Sequence, residues 1–474
     1  TTIDATRVVR YDAQTTAVNA AAMGASGAVT RATLDGSATA RLLDGSSLDA
    51  GSLRVLATND LARTQLSAQS AVGGGGGVIS GAGADVFTRL NGNATVSGVL
   101  TVEADSVGRA VSTTESKAGG LAGVGGGLAE ATLSPDVSAG VDSGDLTAGS
   151  VVVRASHNFG NDADTYRAYA KTEAASISGL DIQVNDTEAI ASANVTAYID
   201  GDVDVDTDDG TSAGSVQVIA RSENRADAYT DGLNVGILGA VGVSTGAATA
   251  SGNTTAEIRD QGAVAGTPDY TIGSLRVEAS GRNTASARVN AAGGGLINVA
   301  DNTAHVTANG SVRAEIGQNL GIQAAGGVTV KAYADPEVDA DVKGVSAGGI
   351  AIGLSQAYAV MNPTVTARID TGTTIDAAQD VSVEADVAPQ TGEVPTYLIE
   401  AVSTLNDTIQ VVSHGLSNGD VVEISGDGRD YNVIVVGENE DLLAFGNAFT
   451  GDLDEVDGSR DEITFVRAHN FQNG

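Results

Sequence analysis

Apolar residues at alternate positions mark a short segment that recurs seven times: Leu53–Ala57, Leu100–Ala104, Val151–Ala155, Val216–Ala220, Leu275–Ala279, Val328–Ala332 and Val381–Ala385. A period of two is the signature of a strand with one buried face. Gly or Gly-Ser precedes most copies of this anchor, as at Gly149-Ser150 and Gly273-Ser274. The segment around Val8 and Val9 reads as a degenerate eighth copy. A second alternating motif precedes each anchor. It is cleanest in Val195–Ile199, Val312–Ile316 and Val365–Ile369, and looser forms end at Leu42, Leu90, Val141 and Ile258.

From the start of an anchor to the end of the next motif is 37 to 48 residues, and from motif to next anchor 10 to 17. The unit is therefore a nearly constant body with a variable connection, and the extra residues at 200–215 and 259–274 are expected to be loop excursions. The first half of each body is polar and alternating, as in 221–229, and a Gly-rich middle follows, as in Gly73–Gly77 and Gly293–Gly295. Such glycines mark turns or close backbone approach. No 3.6-residue stripe persists, which excludes a helical array. One unit cannot bury a face alone, whereas stacked units can. The expected fold is all-β. Residues 1–387 form a repetitive β-solenoid of parallel β-helix type with about seven units. Val55, Val102 and Val153 would then form an interior ladder at about 4.8 Å spacing. The alternative makes each body a long hairpin and assembles the hairpins into sandwiches.

Composition supports a thin array. The chain has 474 residues with 62 Gly, no Cys, no Trp and only 6 Phe. It is rich in Ala, yet only Ala401, Ala444, Ala448 and Ala468 lie beyond residue 400, where four of the six Phe gather. Pro389 and Pro395 flank this change. Residues 388–400 read as a linker and 401–474 as a small β-module with the start of a second copy, since 407–420 resembles 461–474. The chain thus reads as a segment of a longer protein. Net charge is −35, and Lys occurs only at 117, 171, 331 and 343. A nucleic-acid partner needs a basic footprint, which is missing. Without Cys there is no disulfide framework. The uncharged runs 232–256 and 344–367 hold few Leu or Phe, so membrane insertion is not expected; they read as strands buried on both faces.

The Ala/Gly-rich units, with their Gly-Ser-Val-x-Val-x-Ala anchor and Val-Thr-Ala-x-Ile motif, resemble the β-strand repeats of giant secreted bacterial surface proteins of adhesin or haemagglutinin type. The resemblance covers roughly 1–387. It implies a secreted or cell-surface location and a structural, adhesive role rather than a reaction. The partners it suggests are further copies of the chain or a surface polysaccharide. The alternative function is a carbohydrate-binding or carbohydrate-cleaving β-helix, which would show a groove with clustered Arg, Asp and Tyr on one face.

One acidic stretch is a candidate Ca²⁺ site. Asp200, Asp202, Asp204, Asp206 and Asp208 alternate, so an extended chain points them to one side, and Ca²⁺ takes six to eight oxygens. A solvated acidic loop is the competing reading. Asp452, Asp454, Glu455 and Asp457 form a second, weaker candidate. His157, His305, His414 and His469 are scattered, which argues against zinc and against a catalytic triad. No catalytic residues are assigned, and the chain is not expected to be an enzyme.

Overall fold

The computed structural model describes residues 1–18, 23–24, 26–71, 74–143, 145–200, 204–206, 214–259, 270–388, 399–403, 408–411, 421–426, 429–434, 453–457 and 462–465. Among them are strands and turns but no helix. The chain divides into two compact units, Thr1–Gln390 and Thr391–Gly474.

The first unit is a parallel β-solenoid. Leu53, Leu100, Val151, Val216, Leu275, Val328 and Val381 stand side by side in successive parallel strands. Two residues on, Val55, Val102, Val153, Val218, Val277 and Val330 are fully buried and form the expected ladder. The second motif stacks in the same way, through Val86, Val137, Val195, Thr254, Val312 and Val365. Equivalent halves of neighbouring units pair in parallel, so the hairpin alternative is excluded; it needs each body to pair antiparallel with itself. The eighth copy starts at Thr1, not around Val8. Ile3 and Ala5 lie beside Val55 and Ala57 and pack on the core, whereas Val8 is 55% exposed.

A short strand that alternation did not mark lies between motif and anchor. It is seen at Asp204–Asp206, Tyr270–Ile272, Gly321–Ala324 and Thr374–Ala377, which stack in register. Leu146, Tyr270 and Ile322 on this face are buried. Motif, short strand and anchor therefore enclose a head filled with Val, Leu, Ile and Ala, together with Tyr270. The expected excursions at 200–215 and 259–274 contain this strand, and 201–203, 207–213 and 260–269 lie outside the described residues. The longest body owes its excess to a turn around Asn158–Arg167. Asn158 has φ 53°, and its side-chain amide accepts from Gly108 N–H at 2.7 Å and donates to Gly108 O at 3.1 Å. The turn is thereby tied to the unit below.

Beyond the head each body becomes a flat fin. Ser274–Ile316 is one 43-residue strand, which drawn straight would run about 140 Å. It folds back instead at its Gly-rich middle, as its neighbours do. Thr114, Thr172 and Thr230 form one column, and each hydroxyl donates across the fin to a carbonyl: Leu128 at 2.7 Å, Asp186 at 3.3 Å and Thr245 at 2.9 Å. Two parallel sheets thus face each other. Their buried apolar contact is almost wholly Ala, including Ala170, Ala189, Ala228 and Ala248. The layers are too close for more. A Cβ on Gly127 would lie 2.4 Å from Thr172 Cγ2, and one on Gly246 would lie 2.9 Å from Val289 Cγ2. The Ala and Gly content is the composition of this narrow gap.

Register is reinforced outside. Lys331 meets Glu384 at 3.1 Å, Arg282 meets Asp335 at 2.8 Å and Arg288 meets Asp341 at 3.3 Å, each pair between neighbouring units. Such surface pairs are individually worth about 1 kcal/mol or less. A slipped register would break these three pairs.

The runs 232–256 and 344–367 are not buried on both faces, contrary to expectation. The first crosses the end of the fin, where a two-layer sheet has only one inner face. The second does so in the last described rung of the fin, since Val381–Val387 pairs only with Val328–Ala334, and it is exposed at alternate and intervening positions alike. Ile237 is 73% exposed and Ile350 60%.

Tyr198 shows the opposite departure. Alternation points it outward, yet it is 1% exposed. Its ring occupies the space over Gly140 of the unit below, and the Arg259 guanidinium sits 3.5 Å from the ring centroid. Burial, then the hydrogen bond it donates to Asp142, pushes the phenol up to about 12. A Cβ on residue 140 would fall 2.1 Å from ring Cζ. Gly140→Ala is therefore expected to cost about 1–3 kcal/mol in urea unfolding. An unchanged midpoint would show that the ring can leave this seat freely.

In the second unit Thr408–Val411 pairs antiparallel with Ile399–Ser403 and with Glu462–Phe465, which also pairs with Leu453–Asp457. Val421–Gly426 and Arg429–Ile434 form a hairpin. Thr408–Val411 and Glu462–Phe465 are the corresponding strands of the two tail copies, and they face each other, Ile409 beside Ile463.

Candidate functional site

The outer face of the first fin layer carries a shallow groove of about 490 Å³ along the stacking axis. Its floor is Ala174, Ala175, Gly232, Ala291 and Ala292, so small side chains on successive units create the depression. One wall is a column in which Glu115, Glu173, Asp231, Asn290 and Lys343 stand in register. Lys117 pairs with Glu115 and Lys171 with Glu173, and these hydrogen bonds raise both ammonium pKa values. Asn290 Nδ2 donates to Asp231 at 3.0 Å.

Towards the head, the same face carries an aromatic and guanidinium band. Tyr169 and Tyr229 have ring centroids 5.5 Å apart. Arg167 lies over Tyr169 at 4.9 Å and Arg288 over Tyr229 at 5.9 Å. Asp227 is fully buried between Arg167 and Arg225, with Arg225 Nε 3.1 Å from its Oδ2. Burial raises the Tyr169 phenol. Groove and band together offer what binding an extended, hydroxyl-rich chain requires: a flat floor, acceptors along a wall, and rings for stacking. Neither described histidine lines the groove. His157 is buried where the head meets the fin, and His305 stacks on Tyr358 at 4.6 Å.

Register partners among these residues lie 53 to 59 positions apart in sequence and share no motif. Only the stacking register brings Lys171, Tyr229 and Arg288 into one column. The anchor spacing in the sequence gives the offset between Tyr229 and Arg288 (59) and between Asn290 and Lys343 (53) once stacking is assumed, but not that between Lys171 and Tyr229 (58), whose anchors Val151 and Val216 lie 65 apart.

The acidic stretch is only partly described. Asp200 lies 4.0 Å from Arg259. Asp204 and Asp206 sit on the short connecting strand, beside Asp145 and Thr147. Asp202 and Asp208 lie outside the described residues, as do Asp452, His414 and His469. Among the described residues no group of three or more His, Asp or Glu is arranged to hold a metal.

Comparison with protein families, curated proteins and solved structures finds no match to this chain.

Proposed function

We propose that the chain is a structural and adhesive repeat region of a giant bacterial cell-surface or extracellular-matrix protein, acting as a stalk or filament scaffold. The observation that supports this reading is the unbroken parallel register of seven anchors, from Leu53 to Val381. In such an array each unit touches only its neighbours, so length is added by repetition and force is shared along a ladder of backbone hydrogen bonds. A net charge of −35 favours solubility outside the cell.

The groove with Tyr169, Tyr229 and Arg288 supports a second reading, that a surface polysaccharide binds along the fin. One experiment separates the two. The chain is displayed on a cell with a reporter at its far end, and compared with a variant lacking residues 216–274, one whole unit. The scaffold reading expects both to fold and present the reporter, neither to cleave polysaccharide, and any polysaccharide retention to be independent of Tyr229. Saturable polysaccharide retention that Tyr229→Ala abolishes, or release of new reducing ends, would overturn it in favour of the groove.

A further inference from the structure

At the end of the fin the usual polarity is inverted. The inside is polar: Ser176 donates to Asp181 at 2.6 Å, Asn185 to Ser244 at 3.2 Å, and Asn298 to Ser346 at 2.6 Å. The outside is aliphatic. On the returning layer Val124, Ile182, Val241, Val299 and Ile352 stand in one register column. Their exposures are 53, 49, 43, 37 and 60%. The neighbouring column adds Leu180, Ile297 and Ile350, and a bulge between Gly236 and Gly239 pushes out Ile237 and Leu238. Five units thus present one continuous ridge, and no charged side chain interrupts 232–256.

Scattered exposed aliphatics are ordinary, but a contiguous ridge rimmed by polar residues is a contact surface. One flank exposes on the order of 800 Å² of apolar surface, about what each partner contributes to a standard-size protein interface. The ridge also has a fixed repeat of about 4.8 Å, the spacing of strands in a sheet. A surface without that repeat meets it in register only once, whereas a second copy of the chain meets it at every unit. Carboxylates stand back from the ridge: Asp186, Glu188 and Asp301 lie further from the fin end on the same face. Two ridges can therefore join without stacking acid on acid, despite the net charge of −35. An anionic membrane would meet that charge with repulsion.

We infer that the fin end is a self-association surface, through which two copies of the chain pair ridge to ridge by an isologous contact. This extends the scaffold reading by naming its lateral partner. It is tested by sedimentation, whereas that reading is tested by polysaccharide retention, so either can fail alone.

The whole chain is sedimented from about 1 to 100 μM, the range in which standard-size interfaces populate dimers. Wild type is expected to shift from monomer to dimer, and Val241→Lys/Val299→Lys to weaken dimerisation at least about tenfold. Both positions are solvent-facing, so the variant should keep its far-ultraviolet circular dichroism. Added Lys reduces the net negative charge, so general electrostatics would strengthen association; a loss reports on the ridge. Thr101→Lys/Gln217→Lys, which places the same charges on the outer face of the anchors, should associate like wild type or more tightly. A monomer throughout the range, or a ridge variant that dimerises like wild type, overturns the inference. So does a monomer that floats with neutral phosphatidylcholine vesicles, which would assign the ridge to lipid.

Discussion

Val277→Asp is expected to unfold the middle of the array. Val277 is fully buried between Val218 and Val330 in the interior ladder. A carboxylate there would lie among the buried apolar side chains of the head. An unpaired buried charge costs several kcal/mol even after its pKa shifts, so the loss should exceed about 4 kcal/mol. Val277→Thr keeps the shape and buries only a hydroxyl, and should cost about 1–3 kcal/mol. Because coupling runs between neighbours, the damage should be local. Hydrogen exchange should accelerate first in the strands around 216–220, 275–279 and 328–332, while 100–104 and 151–155 stay protected longer. Uniform loss of protection along the array would mean that the units fold as one cooperative block.

The second large effect concerns acid. His157 lies between Ser106 and Ser222 in a buried column where head meets fin. Burial pushes its pKa down to about 3 from the ordinary 6.5. The unfolded chain therefore takes up a proton that the folded chain refuses. The contribution is fully present above pH 6.5 and is lost as pH falls through that value towards 3. By pH 4.5 the loss is about 2–3 kcal/mol. Other groups run the opposite way. Burial raises Asp105, Asp181, Asp186, Glu188 and Glu223, so their protonation favours the folded state. A difference measurement isolates the imidazole: unfolding free energies at pH 7.5 and 4.5, for wild type and for His157→Leu. The variant should be less acid-sensitive than wild type by about 2–3 kcal/mol. Equal sensitivity would show that the ring protonates without unfolding.

Strand ladders were legible in the sequence because a stacked array repeats one environment. Each anchor must offer three small or medium apolar residues at period two, so the copies remain recognisable from Leu53 to Val381. The second motif was legible for the same reason. The short connecting strand was not, since Asp204–Asp206 and Tyr270–Ile272 share only one apolar register position, Val205 beside Tyr270, and no common polar pattern. Nor was the groove wall: Glu115, Glu173, Asp231, Asn290 and Lys343 carry different chemistry at equivalent places, and outer positions are not held to one residue type by packing.

Sequence alone thus determined the repeat and which residues of each anchor share one face, because a period of two and a recurring anchor constrain what can be buried. It also determined the thinness of the array, since Ala and Gly fill little volume. That the units stack in parallel rather than as hairpins was decided by the tertiary structure. Tertiary structure alone decided which small residues line a gap and which lie under a groove. It decided that Tyr198 is covered while Ile237 is bare. Alternation tells a residue which side of its own strand it occupies. Whether that side meets solvent, a second layer or the ring of a neighbouring unit depends on where the strand folds back, and a Gly-rich run marks that fold without fixing what comes to face it.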